Sequence, residues 1–425
     1  MTASLSRLVR ERLVGETGAG ITAVCTAHPL AIEAALRQGR LGNSRVLIEA
    51  TCNQVNQDGG YTGMTPATFR HFVQAITERV GFPADNLLLG GDHLGPNPWK
   101  ARPAEEAMAK AATMIKAYAE AGFTKFHLDT SMGCLGEPAA LPDEVTAERA
   151  AALAKVAEAA SSEVHPIYVI GTEVPVPGGA QHALARVEVT RPEAALRTVE
   201  VHRDAFARAG VESALDRIVG VVVQPGVEFG NSDVVVYDRP AAAALREALP
   251  HLGGAVFEAH STDYQPAQAL RELVEDGFAI LKVGPWLTFA LRQALYGLDA
   301  VARALGRTPP SEEGLPETME RVMLARPNDW AAYHSGDPIS QRLQRHFSYS
   351  DRIRYYWPER EAEIAVERLL SRLGNDPIPV PLVGQYLGWL AAEVADGRCK
   401  PRPRDLLIAS VEQVLAVYGD ACRPA

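Results

Sequence analysis

The chain has 425 residues, 47% hydrophobic and 22% charged, with a formal net charge of −10 and an isoelectric point near 5.6. Such a composition belongs to a soluble globular protein and lacks the basic footprint of a nucleic-acid partner, although a locally positive site for an anionic substrate is compatible with it. No apolar run reaches membrane-spanning length, Met1 to Gly20 has no apolar centre and is no signal peptide, and the five cysteines, without a CxxC, form neither a disulfide framework nor a zinc knuckle; a reducing cytoplasm is the expected location.

Short apolar runs recur along the chain, each followed by polar residues and then by a helical pattern. The expected strands are Ile21–Cys25, Val46–Ala50, Asn86–Gly90, Lys125–Asp129, Ile167–Gly171, Val219–Val223, Ala255–Ala259 and Ala279–Val283. Most lack alternation, the pattern of strands buried on both faces of a parallel sheet. Among the helices, one opens at Thr65, an N-cap ahead of Pro66. The Ala-rich stretch Pro103–Ala121 stops at Gly122. Another helix within Ala183–Ala209 ends at Gly210, and two more are expected in Pro240–Leu249 and Pro266–Glu275, the latter stopped by Gly277.

Eight strand–helix units argue for an α/β fold of the (β/α)8 TIM barrel type rather than an open doubly wound sheet. The absence of a GxGxxG after the first strand weakens the dinucleotide-binding form of that alternative. The barrel is expected over residues 1–307. Beyond a hinge at Thr308-Pro309-Pro310-Ser311, residues 308–425 read as a helical C-terminal extension packed on the barrel, with Glu361–Leu373 and Pro381–Val394 as its clearest elements.

In such barrels the chemistry sits at the C-terminal strand ends. Here those ends carry Thr26 and His28; Cys52, Asn53, Gln54, Asn56 and Gln57; Asp92 and His93; His127, Asp129 and Ser131; Glu173; Gln224 and Glu228; Glu258, His260, Ser261 and Asp263; and Lys282. Buried ionisable groups are costly unless paired, ligating or catalytic. Any one of these side chains fits a supporting or lid contact as well as a catalytic role, but the set marks a reaction centre. His93 and His260, on separate strand ends with carboxylates nearby, can hold a divalent metal such as Zn, Mn, Co or Ni.

No P-loop is present. The stretch Gly284-Pro285-Trp286 opens the last barrel helix, where backbone N–H groups could meet an anion. Ser261, Thr262 and the segment His346 to Arg354 offer further donors. Arg352 and Arg354 fit surface charges equally well.

Five stretches, Glu49 to Gln57, Gly91 to Pro96, Gly171 to Pro175, Glu258 to Asp263 and Leu281 to Pro285, resemble the GatZ/KbaZ family, and the likeness runs on to Ser348-Tyr349-Ser350-Asp351-Arg352. That family has been described as the non-catalytic Z subunit of class II tagatose-bisphosphate aldolase, as a tagatose 6-phosphate kinase and as a tagatose 6-phosphate 4-epimerase. A kinase needs a nucleotide phosphate cradle, and the chain offers no Gly-rich nucleotide loop. Class II aldolases are similar at a greater distance. Their likeness implies that Asp92 moves protons, that His93 and His260 bind metal, and that Glu173 is the acidic residue of the fifth-strand loop. The chain departs from them at the sixth strand, where Glu228 stands in place of a metal-binding His.

The resemblance therefore implies a metal-dependent isomerase that inverts C4 of a ketohexose 6-phosphate, interconverting tagatose 6-phosphate and fructose 6-phosphate. The C4 proton is not adjacent to the C2 carbonyl, so enolisation alone cannot invert that centre, whereas retro-aldol cleavage and re-addition can. Asp92 is the first choice for the base, Asp129 the second, with Glu173 also catalytic. His93, Glu228 and His260 are the expected metal ligands. Gln54, Asn56, Gln57, Ser261, Lys282, Ser348, Ser350 and Arg352 are expected to contact the sugar phosphate, the last three from a tail folded over the barrel mouth. The alternative is a stabilising subunit without turnover, and the resemblance leaves open a class II aldolase catalytic subunit as a partner and a homo-oligomer.

Overall fold

Apolar strands and amphipathic helices alternate eight times between Ile21 and Ala304 in the computed structural model, which describes residues 19–161, 164–171 and 187–423. The strands are β1 (Ile21–Cys25), β2 (Val46–Thr51), β3 (Leu87–Leu94), β4 (Lys125–Leu128), β5 (Ile167–Ile170), β6 (Ile218–Val223), β7 (Val256–Ala259) and β8 (Ile280–Val283). Each pairs in parallel with its sequence neighbours, and β8 closes on β1 in the register Ile21–Ile280 to Val24–Val283. The helices that follow them are α1 (Pro29–Leu41), α2 (Pro66–Val80), α3 (Ala104–Glu120), α4 (Asp143–Ala160), α5 (Pro192–Arg208), α6 (Ala243–Glu247), α7 (Ala267–Glu275) and α8 (Pro285–Ala304). The fold is a TIM barrel.

Local chemistry sets the helix ends. Thr65 accepts the Thr68 N–H at 3.3 Å and Pro66 occupies the first turn of α2. The stretch 240–249 is shorter than its sequence pattern: α6 stops at Glu247 and a 3-10 turn spans Leu249–His251, since Pro250 disfavours helical geometry in the residue before it. Asn86 lies in a turn ahead of β3. That strand instead runs on to Leu94, through a register shift between Gly91 and Leu94 against β4. His93 sits in the shift with φ of +48°, the kind of bulge that re-aims a side chain beside a functional site.

Every second residue of a strand points into the barrel, and the inward residues change character from bottom to top. Ile21, Leu47, Leu88, Ile167, Val256 and Ile280 belong to a buried apolar layer. Glu49, Lys125, Glu258 and Lys282 form the charged layer above it, joined across the barrel by ion pairs. Asp92, His127 and His260 lie above these. Gly90 is required at its level, because a Cβ there would approach Glu49 Oε1 to 2.7 Å.

The tail adds α9 (Leu315–Ala325), α10 (Pro338–Phe347), α11 (Arg360–Leu373), α12 (Val380–Tyr386), α13 (Ala391–Ala395) and α14 (Pro403–Cys422). The expected helix over 381–394 is broken by a 3-10 turn at Gly388–Leu390, where glycine costs helix stability. Helix α14 lies against α1, α7 and α8. Gly20 N–H donates to Cys422 O at 2.9 Å and Tyr418 OH to Thr262 O at 2.7 Å, so the tail and the barrel share one apolar core. Among the described residues no helix is long and apolar enough to cross a membrane.

Candidate active site

Two lysines and three carboxylates cross the barrel beneath its mouth. Lys125 Nζ lies 2.6 Å from Glu49 Oε1 and 2.7 Å from Glu258 Oε2. Lys282 Nζ pairs with Glu49 Oε2 and lies 2.6 Å from Asp92 Oδ1. All five groups are buried. Burial pushes the Asp92 carboxyl up, but the charges of His93 and Lys282 outweigh it and hold the group well below its ordinary range. Glu258 is likewise held low against burial by Lys125 and Lys282. Burial disfavours the Lys282 ammonium, but Asp92, Cys25 and Glu49 overcompensate and raise it well above its usual range. Asp92, Glu258 and Lys282 therefore stay ionised, with Asp92 at the upper edge of the network.

Above the network stand three imidazoles. His93 approaches His260 edge-on with ring centroids 4.8 Å apart, and His127 is 4.9 Å from His93 and 5.2 Å from His260. His127 Nε2 lies 3.0 Å from the Gly171 carbonyl, which can only accept, so the proton resides on Nε2. The lone pair of Nδ1 then faces the His93 N–H at 3.2 Å and Asp92 Oδ1 at 3.0 Å. His93 Nδ1 lies 2.9 Å from Asp129 Oδ2, leaving its Nε2 directed elsewhere, 3.7 Å from Asp92 Oδ2. His260 Nε2 lies 3.0 Å from Glu258 Oε1.

This donor set fits a divalent cation. One ligand atom from each of Asp92, His93, His127 and His260 lies within 4.8 Å of all the others, and all four residues are buried. Two ligands with bonds of about 2.1 Å are at most about 4.2 Å apart, so small side-chain shifts suffice. An acceptor–acceptor contact such as His127 Nδ1 against Asp92 Oδ1 is what a shared cation resolves. Asp129 behind His93 and the Gly171 carbonyl behind His127 are partners of the kind that orient imidazoles at metal sites.

The structure distributes the other expected site residues unevenly. Ser261, with φ of +52°, and Lys282 line the inner chamber with His93 and His260. Gln54 lines it too, with its Oε1 accepting the Thr51 N–H at 3.0 Å. Asn56 braces its own loop, donating to Cys52 O and accepting from Asp58 and Gly60. Gln57 turns outward and donates to Lys110 O at 3.1 Å. Glu228 is buried in a short hairpin, Glu228–Phe229 against Val234–Val235, and its Oε1 accepts the Phe229 N–H at 2.9 Å. It does not belong to the four converging ligands. Glu173 lies outside the described residues.

The tail reaches the mouth through Ser348–Asp351. Ser348 Oγ donates to Asn231 Oδ1 at 2.6 Å, Tyr349 N–H to Asn231 O at 3.0 Å, and Tyr264 OH to Tyr349 O at 2.7 Å. Asp351 is bound by Thr288 Oγ1 at 2.6 Å and Arg292 Nε at 3.3 Å, both on α8. Ser350 packs on Ser348 and Asn231. Arg352 donates to Asp329 O and stacks between Tyr333 and Tyr355, whereas Arg354 and Tyr355 line the inner chamber. The amino end of α8, where an anion was expected, is capped from within: Asp263 Oδ1 accepts the Gly284 and Trp286 N–H groups at 3.1 and 2.8 Å.

Sequence reasoning placed His127 and Glu258 at strand ends without a ligand or network role, and it passed over Lys125. The missed signal was a spacing of two. Glu49 follows Leu47, and Lys125–His127, Glu258–His260 and Ile280–Lys282 repeat it, which places each charged residue inside a closed barrel.

A parallel barrel whose mouth combines an ionised carboxylate, a buried ammonium and a trio of imidazoles that fits a cation defines a barrel enzyme with a polar reaction centre. Within that class, the chain belongs to the GatZ/KbaZ-like family, described as D-tagatose-1,6-bisphosphate aldolase subunit GatZ/KbaZ-like, which matches residues 5–423. It is 53% identical over 424 residues, 99% of each chain, to a protein of Agrobacterium fabrum named D-tagatose 6-phosphate 4-epimerase. It is also similar to a crystal structure described as a probable tagatose 6 phosphate kinase from Sinorhizobium meliloti, with 58% identity, a TM-score of 0.89, and coverage of 95% of this chain and 100% of that one.

Proposed function

We propose that this protein is an isomerase that interconverts tagatose 6-phosphate and fructose 6-phosphate by inverting C4. The observation that carries the reading is the convergence of Asp92, His93, His127 and His260 on one buried point above Lys282. The relative from Agrobacterium fabrum, similar over the whole chain, bears the name of that activity.

In this reading His93, His127 and His260, with Asp92 at their edge, would hold a divalent ion, which would supply Lewis-acid polarisation of the C2 carbonyl. Asp92, kept ionised by Lys282, accepts the C4 hydroxyl proton as the C3–C4 bond breaks, and returns it after the aldehyde has turned and been attacked on its other face. Asp129 holds the His93 ring rather than meeting substrate. Lys282 steadies the negative charge that moves onto the C1–C3 fragment. Both fragments have to stay bound between the two steps, and the Ser348–Tyr355 strap over the mouth restrains them there.

The test is the purified chain alone, supplied with tagatose 6-phosphate and Mn²⁺, Co²⁺, Ni²⁺ or Zn²⁺. Fructose 6-phosphate should form, chelation should stop it and added metal should restore it. Turnover by demonstrably metal-free protein would remove the ion from the mechanism.

A second reading, a supporting subunit for a separate class II aldolase catalytic chain, draws on the exposed apolar residues Ile339, Leu343 and Phe347, which recur every four residues along α10. No product from the chain alone, together with gain of aldolase activity on adding such a subunit, would favour it. The kinase description of the Sinorhizobium relative finds no support in this sequence, which has no Gly-rich nucleotide loop.

A further inference from the structure

Two chambers meet at the barrel mouth. The inner one, about 110 Å³, holds Asp92, His93, His260 and Lys282. The outer one, about 830 Å³, opens between α1, α2 and the tail. The inner chamber alone is smaller than the roughly 300–1,000 Å³ typical of small-molecule sites, so a hexose phosphate seated at the imidazoles has to project toward the outer chamber. Cys25, Gln54, Tyr61, Gly284 and Arg354 line both chambers and so mark the passage between them.

Arg354 is the cation of that passage. Its Nη1 donates to Ser350 O and, at 3.2 Å, to Asp351 O, and its Nη2 donates to Tyr355 OH at 3.1 Å. These partners are neutral oxygens. Among the described residues Arg354 makes no ion pair, and its Nε–H has no acceptor. The other cations lining these chambers are matched by acids: Lys282 by Glu49 and Asp92, and Arg79 and Arg404 both by Glu33. The neighbouring Arg352 is clasped by two tyrosine rings and the Asp329 carbonyl. A partly buried guanidinium, fixed by its own backbone and in salt-bridge contact with no carboxylate among the described residues, stands at a substrate passage with room to receive an anion, and its fork suits phosphate oxygens. Its backbone is itself held, because Asp351 is bound to α8 by Thr288 and Arg292.

We infer that Arg354 binds the phosphate monoester of the substrate at the passage between the two chambers, and thereby selects phosphorylated over free ketohexose. This inference rests on the sugar-phosphate reading above and supplies what Ser348, Ser350 and Arg352, all engaged elsewhere, do not.

The experiment compares wild type, Arg354→Gln and Arg354→Lys with tagatose 6-phosphate and with free tagatose, and titrates inorganic phosphate and tagatose 6-phosphate into each protein by calorimetry. Arg354→Gln should lower kcat/KM for the phosphorylated sugar by about 30-fold or more, a loss in line with a hydrogen bond to a charged group. The loss should be carried by KM, with a much smaller change for free tagatose. Inorganic phosphate should bind correspondingly more weakly, and Arg354→Lys should recover part of both. Equal losses on the two sugars, or unchanged phosphate affinity in a folded Arg354→Gln protein, would overturn the proposal. If wild type fails to turn over tagatose 6-phosphate, the reaction assignment falls. The calorimetric comparison still decides the anion site, because equal affinity in wild type and Arg354→Gln defeats it.

Discussion

Asp92 stands between two kinds of chemistry, with Lys282 on one oxygen and the imidazoles beside it. Asp92→Asn should cut turnover at least ~100-fold, the lower range for general acid–base catalysis, while bound metal measured by elemental analysis stays within twofold, because three imidazoles remain. His127→Ala should show the reverse order of effects: metal content falls first and activity follows it. Normal metal stoichiometry in His127→Ala would remove that residue from the ligand set. Lys282→Met tests the layer below. It leaves Glu49, Asp92 and Glu258 with less counter-charge in a buried setting, and breaking such a network costs about 3–5 kcal/mol. The urea midpoint should fall accordingly, and an unchanged midpoint would show that water compensates the carboxylates.

At the scale of elements, the start of α1 joins stability to the outer chamber. His28 caps α1 by accepting the Leu30 N–H on Nδ1 at 3.2 Å, so it has to be neutral there. Burial lowers its pKa from 6.5 to about 4. Above pH 6.5 the folded and unfolded chains both carry neutral His28 and the contribution is complete. Between pH 6.5 and 4 the unfolded chain takes up the proton first, so stability declines, and below pH 4 the loss levels off. His28→Asn keeps a cap without a titrating ring and should flatten this part of the stability profile. His28→Ala should cost about 1 kcal/mol even at pH 8. A profile with the same slope in His28→Asn would assign the acid sensitivity elsewhere.

For the whole molecule, the tail packs on the helices of the barrel. Helix α14 lies against α1, α7 and α8, and Tyr418 is buried with its hydroxyl on Thr262, two residues beyond His260. We propose that residues 308–425 form an extension inseparable from the barrel rather than an independent domain. A chain ending at Arg307 should therefore expose the apolar faces of α1 and α8, bind a hydrophobic dye and lack a cooperative thermal transition. Cooperative melting of that fragment would establish the barrel as a self-sufficient unit.

The eight strands were legible because a parallel barrel needs runs buried on both faces, and Val219–Val223 and Ile280–Val283 are short, β-branched runs of that kind. Asp92, His93, His260 and Lys282 were legible because polar groups ending apolar strands are costly without a role. What the linear order concealed was direction and partnership. The His93 ring is aimed by a bulge with positive φ, which depends on the pairing of β3 with β4. Asp129 serves His93, and Asp263 fills the amino end of α8, because closure of the barrel brings side chains from different strands within hydrogen-bond distance. Arg352 and Arg354 are indistinguishable as letters two apart. One lies between tyrosine rings and the other at the passage because a tight turn, tied to α8 through Asp351, turns them to different surroundings. Sequence determined which residues had to be inside and at which end, since burial free energy depends on residue type. Tertiary structure alone decided which of them touch, since ion pairing and ligation depend on distances that only the closed barrel sets.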